Sequence, residues 1–559
     1  MSILDALLAK DGRTRSDLER GKGVLASMMQ AEGIHDSDDL TRIRSLPRRA
    51  DADELVDVMT RALALHGGVR LRVPQATALR ELFEVRGLFA PMRVGSGKTL
   101  VTLLAPTLLG SERPVLMLPA SLRNKTRREF AVYARDWKVR LPRLVSYQEM
   151  GRPDREFRLL EPGYRPDLLL LDEAHWLRNT DSAVTRRVKR AIELLHPVVG
   201  VLSGTLITDK LLDYWHLARW ALGPAAPVPD SESEAGRWGQ AIDRDVGMLK
   251  RLGLGALESL PGGFHAWFRG SRGVVPTPGR DCDAAIEISW WRPELPEFLL
   301  RTILEVQESG IRPDGELLDE FELPDVLCQL ALGFYYVWSP MPPDWWLVPR
   351  RAWLQYVRDV LAEHLVGFDS PSMVAVALDQ MRRGNRAPLP PHAQQGAAFQ
   401  AAWREVKDRF TPNPVPVWLS LEPLEQAARC EPGTLLWTRY RASGYALERM
   451  GIPYYPGGTD PEGAKPGSTI ALSIASHGTG RNLQAWHRAR VLTPPANADA
   501  WEQMIGREHR EGQKSDTVYV EVPGIIDYHH DVIDRVLTQA RNTSNASGFS
   551  MKLVDATWV

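Results

Sequence analysis

The sequence predicts an α/β protein: two parallel-sheet domains, a mostly helical insertion between them and a small helical segment at the N-terminus. Three observations carry this prediction. Six short runs, "VLMLPAS" (115–121), "LLLLDEAH" (168–175), "VVGVLSGT" (198–205), "LLWTR" (435–439), "IALSIASHGTG" (470–480) and "VLTPPA" (491–496), are almost continuously apolar before they break into polar or glycine-rich turns. Strands buried on both faces, as in a parallel sheet, read in this way, whereas half-exposed strands alternate. The runs also fall into two groups, one before about residue 215 and one after about 430, with helical patterns between successive runs.

Taken in order, residues 1–65 form a helical segment that ends in "ADELVDVMTRALALH", and 66–222 hold the first group of strands. Residues 223–415 have a different character. They include "ISWWRPELPEF" (288–298) and "YYVWSPMPPDWWLVPRRAW" (335–353), with helical periodicity around "LLRTILEVQ" and "RAWLQYVRDVLAEHL". Tryptophans set among prolines usually serve core and interface packing, so they receive no chemical role. Residues 416–559 hold the second group and a C-terminal brace.

At 559 residues the chain exceeds one ordinary core. Hydrophobic residues at 44% and charged residues at 25% give the composition of a globular protein. A formal charge of -1 excludes a global basic signature of nucleic-acid binding, which leaves only local patches. The clearest lies between Arg123 and Arg143, where eight basic residues face only Glu129 and Asp136. Such a run is commonly a solvated helix face. Cys282, Cys328 and Cys430 are too far apart in sequence for a metal-ligand spacing or a disulfide framework. No apolar run approaches the length of a membrane span, so a cytoplasmic protein without membrane contact is expected.

The chemistry concentrates at the predicted strand ends, where ligands gather in open α/β sheets. "PMRVGSGKTL" (91–100) places Gly95, Ser96, Gly97, Lys98 and Thr99 between an apolar segment and a helix. Glycines let backbone N–H groups approach phosphate, Lys98 can reach β and γ phosphates, and Thr99 can ligate Mg²⁺. The pattern departs from the common phosphate-loop formula in having Met92 where a first glycine is expected. At the end of the four-leucine strand, Asp172 can hold Mg²⁺ and Glu173 can orient or deprotonate water. Together they predict nucleoside triphosphate binding. In "WEQMIGREHREGQ" (501–513), Gln503, Arg507 and Arg510 fall at i, i+4 and i+7, with Asp499 and Glu502 reading as a capping box and Gly512 as a stop. A helix that buries one side and aims arginines from another suggests an anionic ligand.

GSGKT (95–99), DEAH (172–175), SGT (203–205), GTGRNLQ (478–484) and QMIGREHREGQ (503–513) resemble, in order and spacing, motifs I, II, III, V and VI of the superfamily-two helicases. "VLMLPASLRNKTRREF" (115–130), "SYQEM" (146–150), "LSGTLITDKLLDYW" (202–215) and "GREHREGQ" look like the Swi/Snf-type DNA translocases within that group. The resemblance implies two RecA-like lobes with ATP and Mg²⁺ in the cleft between them. It implies that Arg507 and Arg510 reach across the cleft to phosphates, Arg510 being the better match for the γ-phosphate, with Gln503 in support and Gln75 on adenine. It further implies nucleic-acid contacts from Arg123, Asn124, Lys125, Thr479 and Asn482, coupling through Ser203, Gly204 and Thr205, and a cleft lining that includes Gly478 and Gly480.

The activity so implied is ATP-dependent translocation on double-stranded DNA, by a compact motor of bacterial or bacteriophage type. An RNA or single-strand helicase, and a nucleotide-gated adaptor working through a protein partner on the insertion, are the alternatives. A monomer is expected, because two lobes in one chain complete the ATP site.

Overall fold

The computed structural model describes residues 38–50, 54–93, 95–155, 158–242, 263–277, 282–316, 318, 322–362, 371–383, 392–411, 413–478 and 482–559. Its first sheet contains β1 (Gly87–Pro91), β2 (Pro114–Leu118), β3 (Arg143–Ser146), β4 (Leu168–Asp172) and β5 (Val198–Ser203). They lie in the order β1-β5-β4-β2-β3, and every pairing is parallel. The reason lies in the strand sequences. Because side chains alternate between faces, Phe89, Met117, Leu169, Leu171 and Val201 enter one core, while Leu88, Ala90, Leu116, Leu118, Leu170 and Leu202 enter the other. Helices Val73–Val85 and Lys98–Leu109 cover the second face, and Ala183–Leu195 and Leu211–Leu222 the first.

The remaining strands are β6 (Ala285–Trp291), β7 (Phe334–Ser339), β8 (Asn413–Trp418), β9 (Thr434–Thr438), β10 (Tyr454–Tyr455), β11 (Ile470–Ser473), β12 (Arg488–Val491), β13 (Thr517–Pro523) and β14 (Thr557–Trp558). Seven of them build a second all-parallel sheet in the order β10-β11-β9-β12-β13-β6-β14. The two parallel sheets, each with helices on its faces, bear out the predicted α/β class and its two lobes.

The segment read as an insertion divides three ways. Helices Glu232–Ile242 and Gly263–Arg269 belong to the first lobe, where Trp238, Phe264 and Phe268 are buried in its core and Val274 forms a β-bridge to Phe89. Residues 285–291, expected within the helical part, instead form β6, paired with β13 over seven residues, Ala285 to Trp291 against Thr517 to Pro523. Alternation in "AIEISWW" puts Ile286 and Ile288 into the core, a two-residue period that the adjacent tryptophans obscured. The stretch from helix Glu297–Ser309 to β8 holds helices and the antiparallel β7–β8 pair, and its Cys328, Leu332 and Phe334 share a core with Leu436 and Ala471 of the second lobe. Its Trp346 and Trp353 are buried among aromatic neighbours. At the N-terminal side, helices Asp38–Ser45 and Glu54–Leu63 pack into the first lobe's two cores rather than forming a separate unit; residues 1–37 of the predicted helical segment lie outside the described residues. No described helix is long and apolar enough to cross a membrane.

Candidate functional site

A parallel sheet delivers all its carboxyl ends to one edge, so the loop after β1, the acidic end of β4 and the end of β5 are neighbours. The loop after β1 turns through Gly95 (φ 91°) and Gly97 (φ 82°) into helix Lys98–Leu109. Gly97 is obligatory on two counts: its backbone is left-handed, and a Cβ there would run into the Gln75 amide. Gln75, expected on adenine, is buried under the loop. Its Oε1 accepts from Arg72 N at 2.9 Å, and its Nε2 donates to Ser96 O at 3.4 Å and Gly97 O at 3.5 Å. Ser96 Oγ donates to Arg93 O at 2.7 Å. The Lys98 ammonium folds back on the loop, 3.0 Å from Met92 O and 3.1 Å from Arg93 O. Thr99 follows in the first helical turn, half-buried.

Asp172 ends β4, and Glu173 takes a left-handed conformation (φ 53°) that turns the chain sharply there. A non-glycine residue in that region is strained, as active-site residues often are. Asp172 is 8% exposed, and its Oδ1 has no hydrogen-bond partner among the described residues. Burial, reinforced by the Glu173 charge, raises its carboxyl from 3.8 to about 7 against the opposing pull of Lys98. Glu173 goes the other way. Burial pushes it up, but the His175 hydrogen bond and the charges of Lys98, His175 and Arg507 outweigh this and hold it well below the usual carboxylate range. The two adjacent carboxyls are thereby split into a group readily protonated without a cation and a firm anion.

A polar chain leads away from Glu173. Ser203 Oγ lies 3.2 Å from Glu173 Oε2 and 3.0 Å from His175 Nδ1, and accepts from Thr205 N at 3.3 Å. Gly204 is the buried turn residue between them. Thr205 Oγ1 then accepts from Gln503 Nε2 of the second lobe at 3.2 Å.

The helix bearing Gln503 is Ala498–Ile505, capped by Asn497, whose Oδ1 accepts from Ala500 N at 2.9 Å. Here the expected arginine stripe is corrected. The helix closes at Gly506, so Arg507 and Arg510 sit in the turns beyond it rather than on a continuous i, i+4, i+7 face. Asp499 is not part of a capping box either: it forms an ion pair with Arg178 of the first lobe. Arg507 is 2% exposed and donates Nε to Gln503 O at 2.8 Å. Burial lowers its guanidinium to about 10, although Glu173 favours the charged form. Arg510 donates to Asn482 Oδ1 at 2.6 Å, so these two predicted ligand residues meet each other within the second lobe. Thr479 and Gly480 lie outside the described residues.

Further cross-lobe contacts come from residues the sequence reading did not select. Arg72 pairs with Glu511 at 2.7 Å, and Arg93 donates to Ser550 O at 2.8 Å. Asp499 carried a signal, but its position in a first helical turn made capping the simpler account.

The basic run is also redistributed. Arg123, expected on nucleic acid, pairs with Glu149 and reaches Leu144 O, which ties its helix to the adjoining segment. Lys138, Arg140 and Arg143 donate to backbone carbonyls of the same lobe. Asn124 accepts from Arg127 at 3.4 Å, and Lys125 is 3.9 Å from Glu129. Asn124, Arg127, Arg128, Arg135, Lys138, Arg140 and Arg143 are exposed, the last three with their side chains already engaged by those carbonyls.

Among the described residues no three His, Cys, Asp or Glu side chains gather as an all-protein metal cage. The buried, unpartnered Asp172 Oδ1 does fit a hard cation of the kind that takes its other ligands from phosphate and water.

No family model matches the chain, and no curated protein matches it. Among solved structures, the Sulfolobus solfataricus SWI2/SNF2 ATPase core in complex with dsDNA aligns over 88% of this chain and 98% of that one, at 14% identity and a TM-score of 0.30. That likeness carries no functional argument, which rests instead on the site.

Proposed function

We propose that this chain is a nucleic-acid-dependent ATPase that converts hydrolysis in the inter-lobe cleft into movement along double-stranded DNA. The observation that carries the ATPase part is the convergence of Lys98, Asp172 and Glu173 from one lobe with Gln503 and Arg507 from the other, through the Gln503–Thr205 hydrogen bond and the influence of the Arg507 charge on Glu173.

The glycine loop and the N-terminus of helix Lys98–Leu109 receive the phosphates, and Lys98 exchanges its two carbonyl partners for phosphate oxygens. Asp172 and Thr99 would hold Mg²⁺, which would supply positive charge against the phosphates when bound. Glu173, kept anionic, orients the attacking water. Arg507 supplies positive charge to the transferring phosphoryl group, and Arg510, held by Asn482, forms the flank of the same turn. Because Thr205 and Gln503 join the Glu173 cluster to the second lobe, a change at the phosphates is transmitted to lobe apposition. The choice of duplex DNA rests on the motif resemblance, with Asn124, Arg127 and Arg128 as exposed candidates for contact with its backbone.

Steady-state hydrolysis by the wild type and by Arg507→Ala and Arg510→Ala, with no nucleic acid, duplex DNA, single-stranded DNA or RNA, tests this reading. Stimulation by duplex DNA is expected, with a loss of about 10³-fold in Arg507→Ala and a smaller loss in Arg510→Ala. Stimulation by RNA or single strands alone replaces the substrate with those strands. ATP turnover that no nucleic acid alters refutes the motor, and absence of ATP binding refutes the ATPase.

A further inference from the structure

Arg93 sits in the loop between β1 and helix Lys98–Leu109, and its two ends face different lobes. Its backbone carbonyl accepts from Lys98 Nζ at 3.1 Å and from Ser96 Oγ at 2.7 Å, so it is part of the resting conformation of the phosphate loop. Its side chain is 5% exposed and extends into the second lobe. There Nη2 donates to Ser550 O at 2.8 Å and lies 3.9 Å from the Glu502 carboxylate, and the guanidinium carbon is 5.1 Å from the Phe549 ring centroid.

These partners form a strap. Glu502 Oε2 accepts from Lys552 N at 2.7 Å, and Lys552 Nζ is 3.7 Å from Glu502 Oε1, which fixes the C-terminal segment to helix Ala498–Ile505. That helix also carries Gln503 and leads into Arg507. Arg93 therefore connects the loop that holds Lys98 to the element that presents Arg507, by a route separate from the Thr205–Gln503 bond.

The cost of this arrangement argues against incidental packing. Desolvating a guanidinium is unfavourable unless carboxylate, carbonyl or aromatic partners replace its water. Here a carbonyl, a carboxylate and an aromatic face come from the C-terminal segment and helix Ala498–Ile505, so that share of the compensation depends on those elements staying against the loop while the lobes are apposed. Parting them returns Arg93 to water and frees its end of the loop. We propose that Arg93 is a positioning residue which, through the strap of Phe549 to Lys552, couples the state of the phosphate loop to closure of the lobes. This rests on the ATPase reading above.

The test is the kcat and KM for MgATP of full-length wild type, Arg93→Ala, Arg93→Lys and Phe549→Ala, each with saturating duplex DNA and with thermal unfolding recorded alongside. In Arg93→Ala and Phe549→Ala, kcat falls about tenfold while KM moves less than about threefold, the pattern of lost closure rather than lost ground-state binding. Arg93→Lys keeps a charge beside Glu502 and recovers most of the loss. If Arg93→Ala does not fold, Phe549→Ala and Arg93→Lys still decide, because they alter the strap's two sides separately. Unchanged kcat in a folded variant, or a rise in KM that accounts for the whole defect, overturns the coupling while leaving the ATPase intact. A wild type that neither binds nor hydrolyses ATP overturns the underlying reading instead.

Discussion

Glu508→Gln gives a sharp quantitative test of the electrostatics behind the cross-cleft arginine. Glu508 is fully buried next to Arg507, its Oε1 accepts the Trp437 indole N–H at 3.1 Å, and its Oε2 has no hydrogen-bond partner among the described residues. Burial raises its carboxyl from 4.5 to about 8, against the lowering influence of the Trp437 bond and Arg507. The folded chain thus keeps a proton that the unfolded chain releases above about pH 4.5. The stability associated with that proton is complete below 4.5, declines as pH rises, and is lost once pH passes about 8. At about 1.36 kcal/mol per pKa unit, the full displacement caps the loss near 5 kcal/mol, and the part between pH 6 and 8 at roughly 2 to 3 kcal/mol. Glutamine retains an acceptor for Trp437 but cannot ionise. Urea unfolding of both proteins at pH 6 and pH 9, without nucleotide, should show the wild type losing roughly 2 kcal/mol more than the variant. Equal losses in the two proteins would refute the assignment of a neutral buried carboxyl beside Arg507.

Three further outcomes follow from contacts in the cleft. Gly97→Ala forces a Cβ into the Gln75 amide at a left-handed position, so nucleotide affinity, read by titration with a fluorescent ATP analogue, should fall at least about tenfold. Gln503→Ala removes the Thr205 hydrogen bond, a net contribution of about 1 kcal/mol, and should lower DNA-stimulated kcat roughly fivefold with little change in KM. Arg178→Ala leaves the partly buried Asp499 without its ion-pair partner across the lobes; the thermal midpoint should drop by a few degrees, and the drop should shrink in an Arg178→Ala, Asp499→Asn double variant.

The α/β class was legible because strands covered on both faces need nearly every residue apolar, and "LLLLD" or "VVGVLS" meets no other requirement as economically. The loop at 95–99 and the acidic pair at 172–173 were legible for a related reason: local backbone geometry determines their chemistry, so a few adjacent residues are sufficient evidence. Where the reading failed, the deciding contacts were distant in sequence. β6 looked like part of a tryptophan-rich insertion because its partner, β13, lies more than two hundred residues later. Arg123 looked available to a ligand because nothing nearby in sequence announces Glu149 as its partner.

The sequence by itself determined β2, β4, β5, β9 and β11, the phosphate-type loop and the acidic strand end, all of which depend on spacing within a few residues. Tertiary structure decided the rest of the site. It ended the helix at Ile505, turned Arg507 inward and Arg510 onto Asn482, and brought Gln503 to Thr205 and Arg93 to Ser550. The last two contacts join residues hundreds of positions apart and bring two separately built sheets together, so no local pattern could encode them.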